Sequence, residues 1–258
     1  MKFYYSGALA LMLGVVQQST AFTVNTPSKA TSALHALASP LTLGPEDKIE
    51  GGNTLRTWTM PVTAENAQIM LKTDGRPMNA RVEIWQGPDY TPYTMDIYLE
   101  NGDVSPFKAI LHFPKGTNTI SIRNVAEYEF PLTASVAVEQ AGELKEVQDE
   151  IQDKCDRRLI QGGAVTTIPV PNEIDSMQVL FNTEMRAHKA NIEVLQGPNN
   201  LKQKIELFCS GGNRPFYAIF ETPGADYVLR VINTNHLEFP INAYVEPYMI
   251  GNQLAPLQ

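Results

Sequence analysis

The chain has 258 residues, 43% apolar and 19% charged, an ordinary globular composition with length enough for one large or two ordinary domains. A net charge of -8 and the lack of any basic run exclude nucleic acid and anionic membrane surfaces as main partners. Two cysteines, Cys155 and Cys209, are too few for a disulfide framework and are not spaced for a metal.

Residues 1–45 contain no acidic side chain, Glu46 being the first, and read as an address rather than as fold. Lys2 precedes an apolar run from Gly7 to Val16, far short of the ~20 residues that span a bilayer but right for a secretory h-region. No transmembrane segment is expected, and cleavage is expected near Ala21. From Phe22 to Ser39 the chain is rich in Ser, Thr and Ala, the composition of a plastid transit peptide. The alternative is simple secretion with a disordered mature N-terminus. A plastid stroma is reducing, so Cys155 and Cys209 are expected as free thiols.

From Glu46 onward the chain repeats itself. Arg81-Val-Glu-Ile-Trp-Gln-Gly-Pro88 returns as Asn191-Ile-Glu-Val-Leu-Gln-Gly-Pro198, an offset of 110 residues (191 − 81). Glu129-Phe-Pro131 returns as Glu238-Phe-Pro240, an offset of 109 (238 − 129). A unit of about ninety residues in tandem explains both. Gly51-Gly52 also matches Gly162-Gly163, Pro106-Phe107 matches Pro215-Phe216, and Asn124 matches Asn233. Most of these residues set backbone direction, and Gly87, Pro88, Gly197, Pro198, Pro131 and Pro240 define the repeated turns.

Between the turns apolar residues alternate with polar ones. Val82 and Ile84 alternate with Arg81 and Glu83, and Phe107, Ala109, Leu111 and Phe113 alternate with Lys108, Ile110 and His112. Period two broken every eight to twelve residues predicts antiparallel strands with one buried face. In the first unit these fall near 54–60, 67–73, 80–86, 93–99, 105–113, 118–124 and 130–138. The fold class expected is all-β, a tandem pair of antiparallel β-sandwich, jelly-roll-like modules over residues 46–138 and 159–247.

Residues 139–158 depart from this pattern. The segment is charged, lacks Pro and places Leu144, Val147, Ile151 and Cys155 at helical spacing, which predicts a short helical linker; a solvated linker is the alternative. The tail, residues 248–258, carries no charge and includes Tyr248, Met249, Ile250 and Leu254. It either covers its own module or docks on a neighbouring molecule.

No reaction centre emerges from the residues. His35, His112, His188 and His236 lack a second ligand at a recognised spacing, so no metal is expected, and no glycine loop matches a phosphate-binding or other cofactor template. There is no nucleophile elbow. Glu83 with Glu129, or Glu193 with Glu238, could form a glycosidase pair, but a strand's outward glutamate is by default a solvated charge. The loop after Gly87-Pro88 places Tyr90 and Tyr93 beside Trp85, which suits a sugar platform, an assembly hot spot or packing under the loop itself. Tyr98, Tyr128 and Tyr244 are further candidates for an assembly surface.

The doubled strand ending in Trp-Gln-Gly-Pro-Asp or Leu-Gln-Gly-Pro-Asn, followed by the Glu-Phe-Pro strand behind a complex-plastid presequence, resembles the pyrenoid shell proteins of diatoms. The resemblance covers nearly all of the chain from Pro45. It implies a non-enzymatic stromal protein, without cofactor, that associates with itself into a sheet around the Rubisco-filled pyrenoid and helps to keep CO2 near the carboxylase. The expected partners are further copies of the chain, with Rubisco or other pyrenoid proteins beside it. The competing expectation is a two-module carbohydrate- or ligand-binding protein using Trp85, Tyr90 and Tyr93.

Overall fold

The computed structural model describes residues 44–138, 143–182, 185–212, 214–251 and 253–257. The expected presequence falls almost wholly outside the described residues, as do positions 139–142 of the expected linker.

The first half forms β1 (Glu46–Ile49), β2 (Thr54–Thr59), β3 (Asn66–Lys72) and β4 (Met78–Gln86), then β5 (Tyr90–Leu99), β6 (Phe107–His112), β7 (Asn118–Asn124) and β8 (Leu132–Val138). A helix, α1 (Glu143–Lys154), follows. The second half forms β9 (Arg158–Ile160), β10 (Val165–Pro169), β11 (Ile174–Asn182) and β12 (His188–Gln196). It continues with β13 (Asn200–Cys209), β14 (Phe216–Glu221), β15 (Tyr227–Asn233), β16 (Ile241–Ile250) and a two-residue β17 (Gln253–Leu254).

These strands build two antiparallel sheets. One has nine strands in the order β1-β8-β3-β6-β14-β11-β16-β17, with β9 also on β16; the other has eight, β10-β15-β12-β13-β5-β4-β7-β2. Each half contributes to both. The order β1-β8-β3-β6 recurs as β9-β16-β11-β14, and β2-β7-β4-β5 recurs as β10-β15-β12-β13.

Both sheets run through the boundary between the halves. In the nine-stranded sheet β6 pairs with β14, and in the eight-stranded sheet β5 pairs with β13. Ala109 lies opposite Ala218 and Asp96 opposite Glu206, so each residue faces the one that the sequence offset makes its counterpart. That is the pattern of a two-fold axis through the seam, in which one patch meets its own copy. Two alanines let the strands cross the axis without bulk. The two facing carboxylates would repel, and each has a cation to offset it: Arg81 holds Asp96 by two hydrogen bonds of 2.7 and 2.8 Å, and Lys204 lies 2.5 Å from Glu206.

The core is correspondingly continuous. Ile69, Val82, Met95 and Phe107 of the first half belong to the same buried cluster as Val179, Ile192, Leu207 and Phe220 of the second. Side chains also cross the seam: the buried Tyr93 hydroxyl donates to the carbonyls of Arg214 and Pro215, at 3.0 and 3.1 Å, and Lys108 pairs with Glu221 at 2.5 Å.

The sheets differ in their outer faces. In β4 burial alternates as the sequence pattern requires, with Arg81 exposed between Ala80 and Val82. In the nine-stranded sheet both faces are covered around the seam, because α1 lies on the outer one. Leu144, Val147 and Ile151, with Cys155 just beyond the helix, form a second cluster with Ile110, Leu180, Tyr217, Ile219 and Tyr244. The opposite face of α1 is solvated and carries the i,i+4 pair Lys145–Asp149.

Candidate assembly surfaces

The repeated motifs turn out to be the frame of the fold. Asn124, fully buried at the end of β7, donates from its amide to the carbonyls of Ile49 (3.1 Å) and Phe130 (2.8 Å) and accepts from the backbone of Ala126 at 3.1 Å. Asn233 does the same with Ile160 (3.0 Å), Phe239 (2.8 Å) and Asn235 (3.0 Å). Each asparagine ties the first strand of its half to the Glu-Phe-Pro turn. The Gly-Gly step supplies the clearance: a Cβ on Gly51 or Gly162 would sit 1.8 Å from the carbonyl oxygen of Glu127 or His236. Pro131 and Pro240 end the same turns.

The Gln-Gly-Pro turns are equally structural. Gly87 and Gly197 have φ of 66° and 68°, a left-handed conformation that glycine adopts freely. The preceding glutamines reach across to the next loop, Gln86 donating to Lys115 O at 2.6 Å and Gln196 to Ala225 O at 3.2 Å. Pro88 with Asp89, and Pro198 with Asn199, complete turns of equal length in the two halves, so the residues expected to form differing loops after them begin β5 and β13 instead.

The residues singled out as a surface separate into three groups. Tyr93 and Tyr244 are buried, the first in the seam and the second under α1. Trp85, Tyr90 and Tyr93 therefore share no exposed platform. Tyr93 lies opposite Ile84 in the core phase of β4–β5, which puts the Trp85 side chain on the other face, and the Trp85 indole donates to Glu83 at 3.0 Å. Tyr90 shares a 2.6 Å hydrogen bond with Ser210 across the seam. Tyr98 is half-buried on the outer face of the eight-stranded sheet. Tyr128 is 72% exposed on the β7–β8 turn, and its counterpart Leu237 is 70% exposed on the β15–β16 turn.

The tail lies against its own molecule. Leu254 pairs with Met249 through β17, Ala255 donates its backbone N–H to Tyr248 O at 2.9 Å, Ile250 packs on the main core, and Tyr248 and Leu257 pack on the α1 cluster.

What the sequence reading missed is the covered outer face built on Ile110, Leu180, Tyr217 and Ile219. A signal for it existed. Ile110 stands among Lys108 and His112 in the outward phase of β6, where solvent would favour a polar residue.

Among the described residues, no group of three His, Cys, Asp or Glu side chains could hold a metal ion. Glu83 accepts from Trp85 and Ser121, and Glu193 is tied to Arg230, so the outward glutamates of the repeat are engaged in the sheet surface. An open cleft of about 470 Å³ gathers Glu50, Asp74, Arg76, Tyr128 and Glu129 at one end of the first half. A groove of about 250 Å³ beside α1 includes His112, whose Nδ1 lies 2.8 Å from Asn66 Oδ1. Burial lowers His112 from its ordinary value and pushes His188 down to about 4, so His188 is neutral at pH 7.

Glu246 is perturbed the other way. It lies 7% exposed on β16, opposite Gln178, and burial lifts its carboxyl to about 7, with Asp156 adding to the rise and Arg158 opposing it. A carboxyl raised above its unfolded value binds more protons when folded, so stability falls as pH rises from the unfolded pKa through about 7. Glu246→Gln is therefore expected to be more stable than the parent by up to about 3 kcal/mol near pH 8 and no different near pH 4. Urea melts at the two pH values check this, and an equal difference at both would refute it.

The folds of solved proteins give only loose superpositions. An oxalate decarboxylase matches with a TM-score of 0.17 and 10% identity over 79% of this chain and 71% of its own. A Bacillus subtilis oxalate decarboxylase variant gives 0.18 and 11% over 76% and 69%. An insecticidal delta-endotoxin of Bacillus thuringiensis gives 0.12 and 6% over 69% and 42%. None supports an argument about activity. No curated protein matches the chain. A family model does: the diatom pyrenoid shell protein model matches residues 41–247, which include both Gln-Gly-Pro turns, both buried asparagines and α1. The chain belongs to the diatom pyrenoid shell protein family.

Proposed function

We propose that the chain is a non-catalytic building block of the plastid stroma that associates with itself into a sheet around the Rubisco-containing pyrenoid, supporting CO2 concentration and fixation. The family match over residues 41–247 carries the reading. The geometry agrees with it: the motifs that repeat are spent on turns, buried asparagines and close backbone approaches rather than on reactive groups. In this reading the halves are duplicated jelly-roll modules, and α1 is both the link between them and a brace across the β6–β14 seam. The fused sandwich is then a rigid plate, which a regular lattice needs. The presequence expected over residues 1–45 delivers the plate to the stroma at the pyrenoid periphery.

The test is negative-stain microscopy of the purified chain beginning at Glu46. Sheets or tubes are expected at micromolar concentration. A monodisperse monomer at every concentration reached would overturn the proposal.

A further inference from the structure

The two sheets treat their free edges differently. The nine-stranded sheet ends at one side in β1, whose Glu46, Asp47 and Lys48 are all exposed, and at the other in two fragments, β9 of three residues and β17 of two. Charges and short strands are the usual protection of an edge against pairing with another chain. The eight-stranded sheet ends in β2, Thr-Leu-Arg-Thr-Trp-Thr, and β10, Val-Thr-Thr-Ile-Pro. Neither has an acidic residue, and Arg56 is the one charge between them.

The hydrogen-bond phase shows what these edges offer. Met60 N donates to Asn118 O at 2.8 Å, which turns the even-numbered residues of β2 toward β7 and leaves the backbone groups of Leu55, Thr57 and Thr59 facing outward. Val170 N donates to Tyr227 O at 2.9 Å, which in the same way leaves Val165, Thr167 and Pro169 facing outward from β10.

We infer that β2 of one molecule pairs with β10 of the next, so that the eight-stranded sheet continues from copy to copy. This rests on the assembly reading above and names its contact. Every pairing in that sheet is antiparallel and the strand number is even, so β2 and β10 run in opposite directions. A neighbour placed alongside without being turned over therefore brings its β10 antiparallel to β2. With Thr57 opposite Thr167, Leu55 meets Pro169 and Thr59 meets Val165. About five backbone hydrogen bonds form, one fewer than six because Pro169 has no N–H. No two like charges meet in this register. The contact is heterologous, head to tail, and does not close on itself. A short strand pair is weak alone, so it acts together with the other contacts of a lattice.

Two double variants test the contact, with circular dichroism melts showing that each remains folded. Thr57→Lys with Thr167→Lys places two cations across the joint and is expected to raise the concentration needed for assembly roughly tenfold or more. Thr57→Lys with Thr167→Glu places opposite charges there and is expected to restore assembly. If the parent assembles and the double-lysine protein assembles equally well, the edge contact is wrong while self-association stands. If the lysine-glutamate protein stays as impaired as the double-lysine one, the contact is wrong as well. If the parent itself does not assemble, the failure lies with the assembly reading.

Discussion

Asn124→Ala is expected to cost about 3 kcal/mol of folding stability, and Asn233→Ala about the same, with urea midpoints falling while the slope of the transition stays unchanged. The magnitude follows from what each side chain holds. Its amide satisfies two carbonyls, and its oxygen satisfies one backbone N–H, at a site where the asparagine itself is fully buried. An unsatisfied buried polar group costs on the order of 1–3 kcal/mol, and alanine orphans three of them in a space that water only partly refills. Asn124→Asp keeps the shape and the acceptor but removes both donors, so it should be nearly as damaging. A loss under about 1 kcal/mol for Asn124→Ala would mean that solvent reaches these carbonyls and that the repeated asparagine is not the tie described here.

Undocking α1 has the other large effect. Ile151 is 1% exposed in the cluster with Leu180, Tyr217 and Tyr244, and Ile151→Asp would force a carboxylate into that apolar contact. A loss of about 3–5 kcal/mol is expected, whether the charge stays buried or the helix lifts and uncovers Ile110, Leu180 and Ile219. Hydrogen exchange distinguishes this from general unfolding. The amides of α1 should lose protection while those of β12 and β4 keep theirs. Glu146, exposed on the opposite face, is the control, and Glu146→Ala should change stability by no more than about 0.5 kcal/mol. Retained α1 protection in Ile151→Asp would show that the helix is held by something other than its apolar stripe.

Much of the fold could be read from period two. The strands expected near 54–60, 67–73, 80–86 and 118–124 correspond to β2, β3, β4 and β7, because Gly, Pro and Asn mark the ends of each run and, in β3 and β4, the inward phase is apolar throughout. Leu144, Val147 and Ile151 mark α1 by helical spacing instead. Strand neighbours were not readable, because hydrogen-bonding edges look alike from within one strand. Nothing in Tyr90–Leu99 says that its partner lies across the seam. Tyr93 illustrates the cost: a tyrosine beside a turn suits solvent as well as it suits a buried hydroxyl whose two acceptors, the carbonyls of Arg214 and Pro215, come from a distant segment. Tyr244 is equally ambiguous in sequence, because what buries it is α1, which lies far from it along the chain.

The seam where Ala109 faces Ala218 and Asp96 faces Glu206 has a last consequence. Two separate, identical subunits meeting in this way would present the same side chains at both ends, and any mutation would alter both at once. Within one chain the two ends are free to differ, and here Arg56 lies near one and Pro169 at the other. If copies join edge to edge as inferred above, a row of them has polarity: its growing tip and its trailing tip are chemically distinct, and a capping factor could recognise one and ignore the other.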